Sequence, residues 1–402
     1  MPLRLPPLRN GHRLRLLEGS VEFFPALIDA VDAAQHEVWL ETYIFDFNGA
    51  SAEVAAALAR AARRGVAVHV VVDGYGTPEL PPRWREQFRQ AGVNWLVYAP
   101  VGSLGVLWPG SWRRLHRKLC VVDGDVAFCG GINVLDDWHD PNYGRLSSPR
   151  LDFAVLMRGP SVAEVGHAMQ QLWQRVRAAR ELSPHALSEA LSEVLRPPPA
   201  VAKAPHAAAG TAKVALLLRD NLRHRRQIET AYLRAIGRAQ HEIIIANAYF
   251  VPGGRLRRAL VRAARRGVRV VLLLQGRYEY FMQYYASRPV YDALLRAGVE
   301  IHEYSPSFLH AKVAVFDRRI CTVGSSNLDP LSLLLAREAN VMVDDADFAV
   351  RLRRRVLHAI EHQGEAMDPT QYARRPWRER LLERLALGMM RLALAVQGKK
   401  YL

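Results

Sequence analysis

Two copies of one α/β unit, each an α-β-α sandwich around a mixed, largely parallel sheet, with the active site between them, are what this 402-residue sequence predicts. Three observations carry that prediction: an internal repeat, apolar runs alternating with helical patterns, and a proline-bearing break between the copies. The repeat comes first because it organises everything else. AQHEVWLETYIF at 34–45 returns as AQHEIIIANAYF at 239–250, and ARRGVAVHVVVDG at 62–74 returns as ARRGVRVVLLLQG at 264–276. AGVNWLVYAP at 91–100 matches AGVEIHEYSP at 297–306, and HRKLCVVDGDVAFCGGIN at 116–133 matches HAKVAVFDRRICTVGSSN at 310–327. The offsets are 205, 202, 206 and 194 residues, so order is kept with small insertions and deletions.

Within the first copy, residues 21–34 show helical spacing and 37–45 form a β-rich run. Residues 52–64 follow as an amphipathic helix and 66–72 as a near-continuous apolar strand. Strands apolar on both faces, alternating with helices, imply helices covering both sides of a sheet. Residues 182–212, with Pro197, Pro198 and Pro199 among Ala and Ser, read as a linker. The organisation expected is a first domain over 12–181, a second over 213–365 and a tail over 366–402.

Half the residues are hydrophobic, enough for a sizeable core. No run reaches the roughly 18 consecutive apolar residues of a spanning helix. The N-terminus is basic and proline-interrupted, without the apolar stretch of a secretion signal, so a cytoplasmic placement is expected. Lys and Arg number 55 against 39 Asp and Glu, a formal charge of +16. That excess predicts an anionic partner, either nucleic acid or an acidic membrane surface. Cys120, Cys129 and Cys321 are odd in number and lack a C-x-x-C pairing, which argues for buried reduced thiols over disulfides or a zinc cluster.

Chemistry concentrates in His-x-Lys-x4-Asp, present once per copy as His116, Lys118, Asp123 and as His310, Lys312, Asp317. Alternate residues of a strand share a face, so each His and Lys should project together, with the Asp at the turn that follows. Asp123-Gly124 is a strong hairpin signal, and the alternative reading of Asp123 is that it chiefly holds that turn. A small-residue run comes next in both copies, Gly130 to Asn133 and Gly324 to Asn327. It would let a phosphate approach the backbone, with Asn133, Ser325 and Asn327 offering hydrogen bonds. Phosphodiester exchange without a metal needs a nucleophile for phosphorus, an acid for the departing oxygen and positive charge around the remaining oxygens. Histidine can serve as nucleophile, acid or base near neutrality, and two lysines can form the clamp. Asp152 and Glu338 stand at matching places downstream, suited to orienting those histidines or to plain strand-edge charge. No metal or cofactor is expected.

The paired motif resembles that of the phospholipase D superfamily, over nearly the whole chain. Within it, HRKLCVVDG, QHEIIIANAYFVPG and TVGSSNLDPLSLLLAREANV resemble the bacterial cardiolipin synthases of the B type. The resemblance implies two phospholipase D-type domains and a phosphatidyl-histidine intermediate. His116 would be the nucleophile and His310 the acid, then the base, with a carboxylate from Asp152 or Glu338 behind each. It further implies transfer between two phosphatidylglycerol molecules, giving cardiolipin and glycerol. Ala311 departs from the Gly common between the His and Lys, and is expected to narrow the site slightly.

Trp108 and Trp112, in the apolar loop before His116, suit a membrane interface, as does the basic amphipathic tail from Trp377 onward. A loop folded onto its domain and a helix packed on the body would read the same way. Tyr278, Tyr280, Phe281, Tyr284 and Tyr285 could line a lipid entry, stack on bases or fill a core. The partner expected is thus anionic phospholipid, met peripherally on the cytoplasmic face of a bacterial membrane, with no obligatory nucleic acid. A lipid hydrolase and a nuclease of the same superfamily remain the rival functions.

Overall fold

The computed structural model describes residues 5–100, 113–181, 209–220, 224–278 and 281–396. The Trp108/Trp112 loop, most of the linker, Tyr280 and residues 397–402 lie outside them. The first copy runs β1 (Arg9–Glu18), α1 (Gly19–Ala33), β2 (Glu37–Thr42), α2 (Ala50–Arg63), β3 (Ala67–Asp73), α3 (Pro82–Ala91) and β4 (Asn94–Tyr98). It continues with β5 (Leu119–Val122), β6 (Val126–Gly130), a small ribbon of β7 (His139–Asp140) and β8 (Gly144–Arg145), then β9 (Phe153–Arg158) and α4 (Val162–Glu181). The second copy repeats the plan. It begins β10 (Ala212–Arg219), α5 (Gln227–Arg238), β11 (Glu242–Asn247), α6 (Gly254–Arg265), β12 (Arg269–Gln275), α7 (Phe281–Leu295) and β13 (Glu300–Tyr304). It ends β14 (Lys312–Phe316), β15 (Ile320–Gly324), α8 (Pro330–Leu334), β16 (Glu338–Asp344), α9 (Ala346–Gln363), β17 (Gly364–Ala366), α10 (Pro369–Ala373) and α11 (Trp377–Val396).

Local chemistry explains the boundaries. Alanine-rich α2 propagates well and stops at Arg64-Gly65, where Gly65 takes φ +92; α6 stops the same way at Gly267, φ +87. Both glycines belong to the repeated ARRG, so the repeat carries its own helix terminator.

The strands form one 15-stranded sheet, ordered β17-β13-β12-β11-β14-β15-β16-β10-β1-β9-β6-β5-β2-β3-β4. The antiparallel β1–β10 pair joins the two copies into it. The duplicated mixed sheet is as expected, but its parallel share is smaller than the apolar runs implied. Among the described strands of the sheet, parallel pairing is confined to β2-β3-β4 and β11-β12-β13, while β5-β6 and β14-β15 are hairpins and the joining strands run antiparallel. A strand buried on both faces is apolar whichever way its neighbour runs, so composition does not report direction.

One face of the sheet carries a core shared by both copies. Val165, Met169 and Leu172 of α4 join Phe348, Leu352 and Val356 of α9 in it, over strand residues such as Val155 and Val341. On the other face α1 and α2 cover the first half, and α5 and α6 the second. The three cysteines are buried and free, as expected.

Candidate active site

Two short bridges between the copies assemble the site. The residue before His116, Leu115, pairs with Arg337 of the second copy, and Leu309, before His310, pairs with Leu151 of the first. His116 N donates to the Arg337 carbonyl at 2.9 Å, and His310 N to the Leu151 carbonyl at 2.8 Å. Each histidine therefore lies beside the start of the other copy's carboxylate strand, Glu338 opening β16 and Asp152 just preceding β9. His116 Nδ1 sits 3.1 Å from the Glu338 carboxylate, and His310 Nδ1 sits 2.6 Å from Asp152. The expected carboxylates are in place, and they cross over. The imidazole rings lie with centroids 6.4 Å apart and planes tilted by 57°. Reacting atoms need about 3 Å, so this gap suits one phosphorus with a ring on either side.

The histidines precede their strands rather than lying on them. The lysines open or adjoin the strands and reach back: Lys118 Nζ donates to the His116 carbonyl at 2.8 Å, and Lys312 Nζ to that of His310. Lys118 is 4 % and Lys312 0 % exposed, a costly burial of ammonium groups that a purely structural role would not require. Tyr43 packs against His116, with centroids 5.1 Å apart, and lies under Lys118.

Asp123 and Asp317 are not at this site, which corrects their expected catalytic place. Both occupy tight turns at positive φ, 51° and 49°. The Asp123 carboxylate accepts from the amides of Gln35, His36 and Glu37, and Asp317 accepts from those of Gln240, His241 and Glu242. Burial pushes these carboxyls up, but the amides together outweigh it and hold them below the usual range. The small-residue run likewise serves the protein's own backbone. A Cβ on Gly130 would strike Ala154, and one on Gly131 would lie 2.2 Å from the Asp152 carboxylate. The oxygens of Asn133 and Asn327 accept from Ile44 N and Tyr249 N, 3.1 and 3.4 Å away. They hold the loops after β2 and β11. Ser325 does orient: its Oγ donates to Glu338 at 2.5 Å. Ala311 is wholly buried in the shared core, on the far side of the chain from the lysine, so its methyl does not narrow the site.

Sequence reasoning missed the residues that hold the histidine segments. Asp73, 0 % exposed, accepts from Leu115 N at 2.8 Å, and Gln275 at the matching place accepts from Leu309 N at 2.9 Å. Their signal was available as the last polar residue of the repeated VVDG and LLQG.

The two pairs differ electrostatically. Burial lowers the affinity of His116 for a proton, against the pull of Glu338. Burial also pushes Glu338 up, yet His116, Lys118 and the Ser325 hydroxyl together outweigh it, and Glu338 stays ionised. Asp152 lacks such a hydroxyl, since Gly131 stands where Ser325 does, and burial pushes it up to about 7. Burial and the nearby lysines drive His310 well below its ordinary value, and burial brings Lys118 down to about 7. The His116–Glu338 pair thus favours a neutral imidazole beside a carboxylate, while burial favours a proton on Asp152 beside His310.

Comparison with known proteins agrees with this architecture. Residues 27–144 and 232–359 each match the family described as cardiolipin synthase, PLD-like domain. Cardiolipin synthase B of Shigella flexneri is 38% identical over 92% of this chain and 85% of its own. A cardiolipin synthase of Geobacillus kaustophilus is 31% identical over 94% of this chain and 72% of its own. The crystal structure of phosphatidylserine synthase from Haemophilus influenzae Rd KW20 superposes with a TM-score of 0.71, covering 99% of this chain and 97% of that one; at 12% identity the likeness concerns the fold. A chain that carries this family's domain twice, with the two motifs assembled into one site, belongs to the cardiolipin synthase family of phospholipase D-like phosphatidyltransferases.

Proposed function

We propose that the protein transfers a phosphatidyl group from one phosphatidylglycerol to another, releasing glycerol and forming cardiolipin, without a metal ion. The observation that carries this reading is the crossed pairing of two histidines with two buried carboxylates across a 6.4 Å gap flanked by buried lysines. His116, its Nδ1–H held by ionised Glu338, attacks phosphorus through Nε2. The P–O bond to glycerol breaks, and the alkoxide takes the proton held by the His310–Asp152 pair. The hydroxyl of the second phosphatidylglycerol then returns a proton to His310 as its oxygen attacks phosphorus. The P–N bond breaks and both histidines are restored. Lys118 and Lys312 supply the positive charge for the non-bridging oxygens.

The membrane reading gains support from α11. One face packs on α7 through Ala386, Leu387, Met390 and Leu394. A second row, Leu381, Leu385, Met389 and Leu392, is about half or more exposed, beside Arg378, Arg384 and Arg391. The helix therefore packs on the body and still displays an apolar row with basic neighbours. No described helix is long and apolar enough to cross a membrane. We assign the row to the acidic bilayer at the cytoplasmic face, peripherally, where Arg and Lys each contribute about 1 kcal/mol.

The test is to incubate the pure protein with phosphatidylglycerol vesicles, with and without EDTA, and read lipid products by mass. Cardiolipin and glycerol in equal amounts, unaffected by EDTA, are expected. Phosphatidic acid as the sole product would replace transfer with hydrolysis, and cleavage of single-stranded DNA without any lipid product would overturn the lipid reading.

A further inference from the structure

The helix pairs α1/α2 and α5/α6 are the same piece of structure built twice, and one hydrogen-bond pattern sets them in register. Arg64 Nη2 donates to the carbonyls of Val31 and Ala34 at 3.0 and 3.3 Å. Arg266 Nη2 donates to those of Ile236 and Ala239 at 3.2 and 3.3 Å. On that register Asp32 corresponds to Gly237, and Arg60 to Arg262. In the first copy Asp32 neutralises its surroundings: it takes Arg60 in a fork at 3.1 and 2.7 Å and lies 3.8 Å from Arg64. In the second copy that carboxylate is gone, and a Cβ on Gly237 would meet nothing within 4 Å.

The charge also rises on the facing helix. Glu53 and Ala56 of α2 correspond to Arg255 and Arg258 of α6, a helix that has no acidic residue. The result is a hollow of about 350 Å³ between α5 and α6, walled by Arg255, Arg258, Arg262 and Arg266 beside Gly237. All four arginines reach solvent. The one carboxylate of α5, Glu229, is buried in its first turn, more than two turns from Gly237. Among the described residues no carboxylate forms an ion pair with any of the four. Guanidinium groups so gathered repel one another, and an anion placed among them removes that cost. Their planar forks match the oxygens of phosphate, which can accept from several at once.

We infer that this hollow is a second anion site, separate from the catalytic histidines, and that it takes a phosphate group, whether of a lipid head group or of a soluble phosphate. It follows from the helix pair alone and does not depend on the transfer chemistry.

Gly237→Asp tests it by returning to the second copy the carboxylate that the first one has. The space is open and the position is helical and exposed, so the fold should tolerate it. Calorimetric titration with inorganic pyrophosphate should show, in the unaltered protein, a binding event beyond any at the catalytic lysines, which Gly237→Asp and Arg262→Ala each weaken at least tenfold. Turnover of phosphatidylglycerol in detergent micelles should be the same in all three proteins. Flotation on phosphatidylglycerol vesicles separates the sources: a loss of flotation in Gly237→Asp identifies a lipid head group, and a loss of pyrophosphate binding alone identifies a soluble phosphate. Identical titrations and identical flotation for the unaltered protein, Gly237→Asp and Arg262→Ala would overturn the inference.

Discussion

At the scale of the residue, the two histidines carry the same motif but not the same surroundings. Ser325 donates a hydroxyl to Glu338, while Gly131 gives Asp152 only room. The consequence is that burial favours a proton on Asp152 while Glu338 favours its ionised form, and it gives a pH dependence. Asp152 is pushed up to about 7 and Lys118 down to about 7, both by burial. Below that pH the His310–Asp152 pair keeps its proton and Lys118 its charge; above it both are lost. The value of kcat/KM for phosphatidylglycerol should therefore fall as pH rises through about 7 to 8. The fall in kcat should come at higher pH, because bound phosphodiester favours both protonated groups. A kcat/KM flat from pH 6 to 9 would count against the assignment. Ser325→Ala removes a hydrogen bond that favours ionised Glu338, so protonation of Glu338 should suppress turnover from a higher pH than in the unaltered protein and cost about tenfold at neutrality, the worth of a hydrogen bond to a charged group. The histidines and lysines were legible from the doubled motif. The electrostatic difference was not, because it comes from which side chain each carboxylate meets.

At the scale of the element, the motif's third residue is a fastener. Asp123 and Asp317 each tie a β-hairpin turn to the start of a neighbouring strand through three amides. Asp123→Ala and Asp317→Ala should each cost about 1–3 kcal/mol of folding stability, read as a lowered denaturant midpoint. Turnover per folded molecule should be unchanged; loss of turnover at full stability would restore a catalytic role. The turn was readable as Asp-Gly in the first copy but not in the second, where Arg318 takes φ +54 in the glycine's place. The exposed row of α11 makes a separate prediction. Leu385, 55% exposed, and Leu392, 68% exposed, can both become Asp with little effect on folding. The double variant should float on phosphatidylglycerol vesicles far less than the unaltered protein at high salt, where apolar burial outlasts charge. Equal flotation would remove α11 from the membrane contact. Helical spacing alone described both rows of this helix and could not say which of them the body covers.

At the scale of the whole molecule, neither copy holds a complete catalytic half. His116 is oriented from the second copy and His310 from the first. Crossed dependence predicts crossed phenotypes for covalent trapping with labelled phosphatidylglycerol. Glu338→Gln should behave as His116→Ala, losing about 10²–10⁴ in rate and forming no adduct. Asp152→Asn should behave as His310→Ala, losing a similar factor while a phosphatidyl adduct on His116 accumulates. An adduct in Glu338→Gln but none in Asp152→Asn would exchange the two roles. By itself, the sequence determined that the chain is a duplication, that each copy is an α/β unit and which histidines and lysines recur as a pair in both copies. Those properties are local or repetitive, and order along the chain records them twice. Only the tertiary structure decided strand direction beyond the hairpins, the crossing of the carboxylates, the removal of Asp123 and Asp317 from the site, and the missing countercharge at Gly237. Each depends on which residues distant in sequence become neighbours, and such neighbours are chosen by packing of the whole sheet.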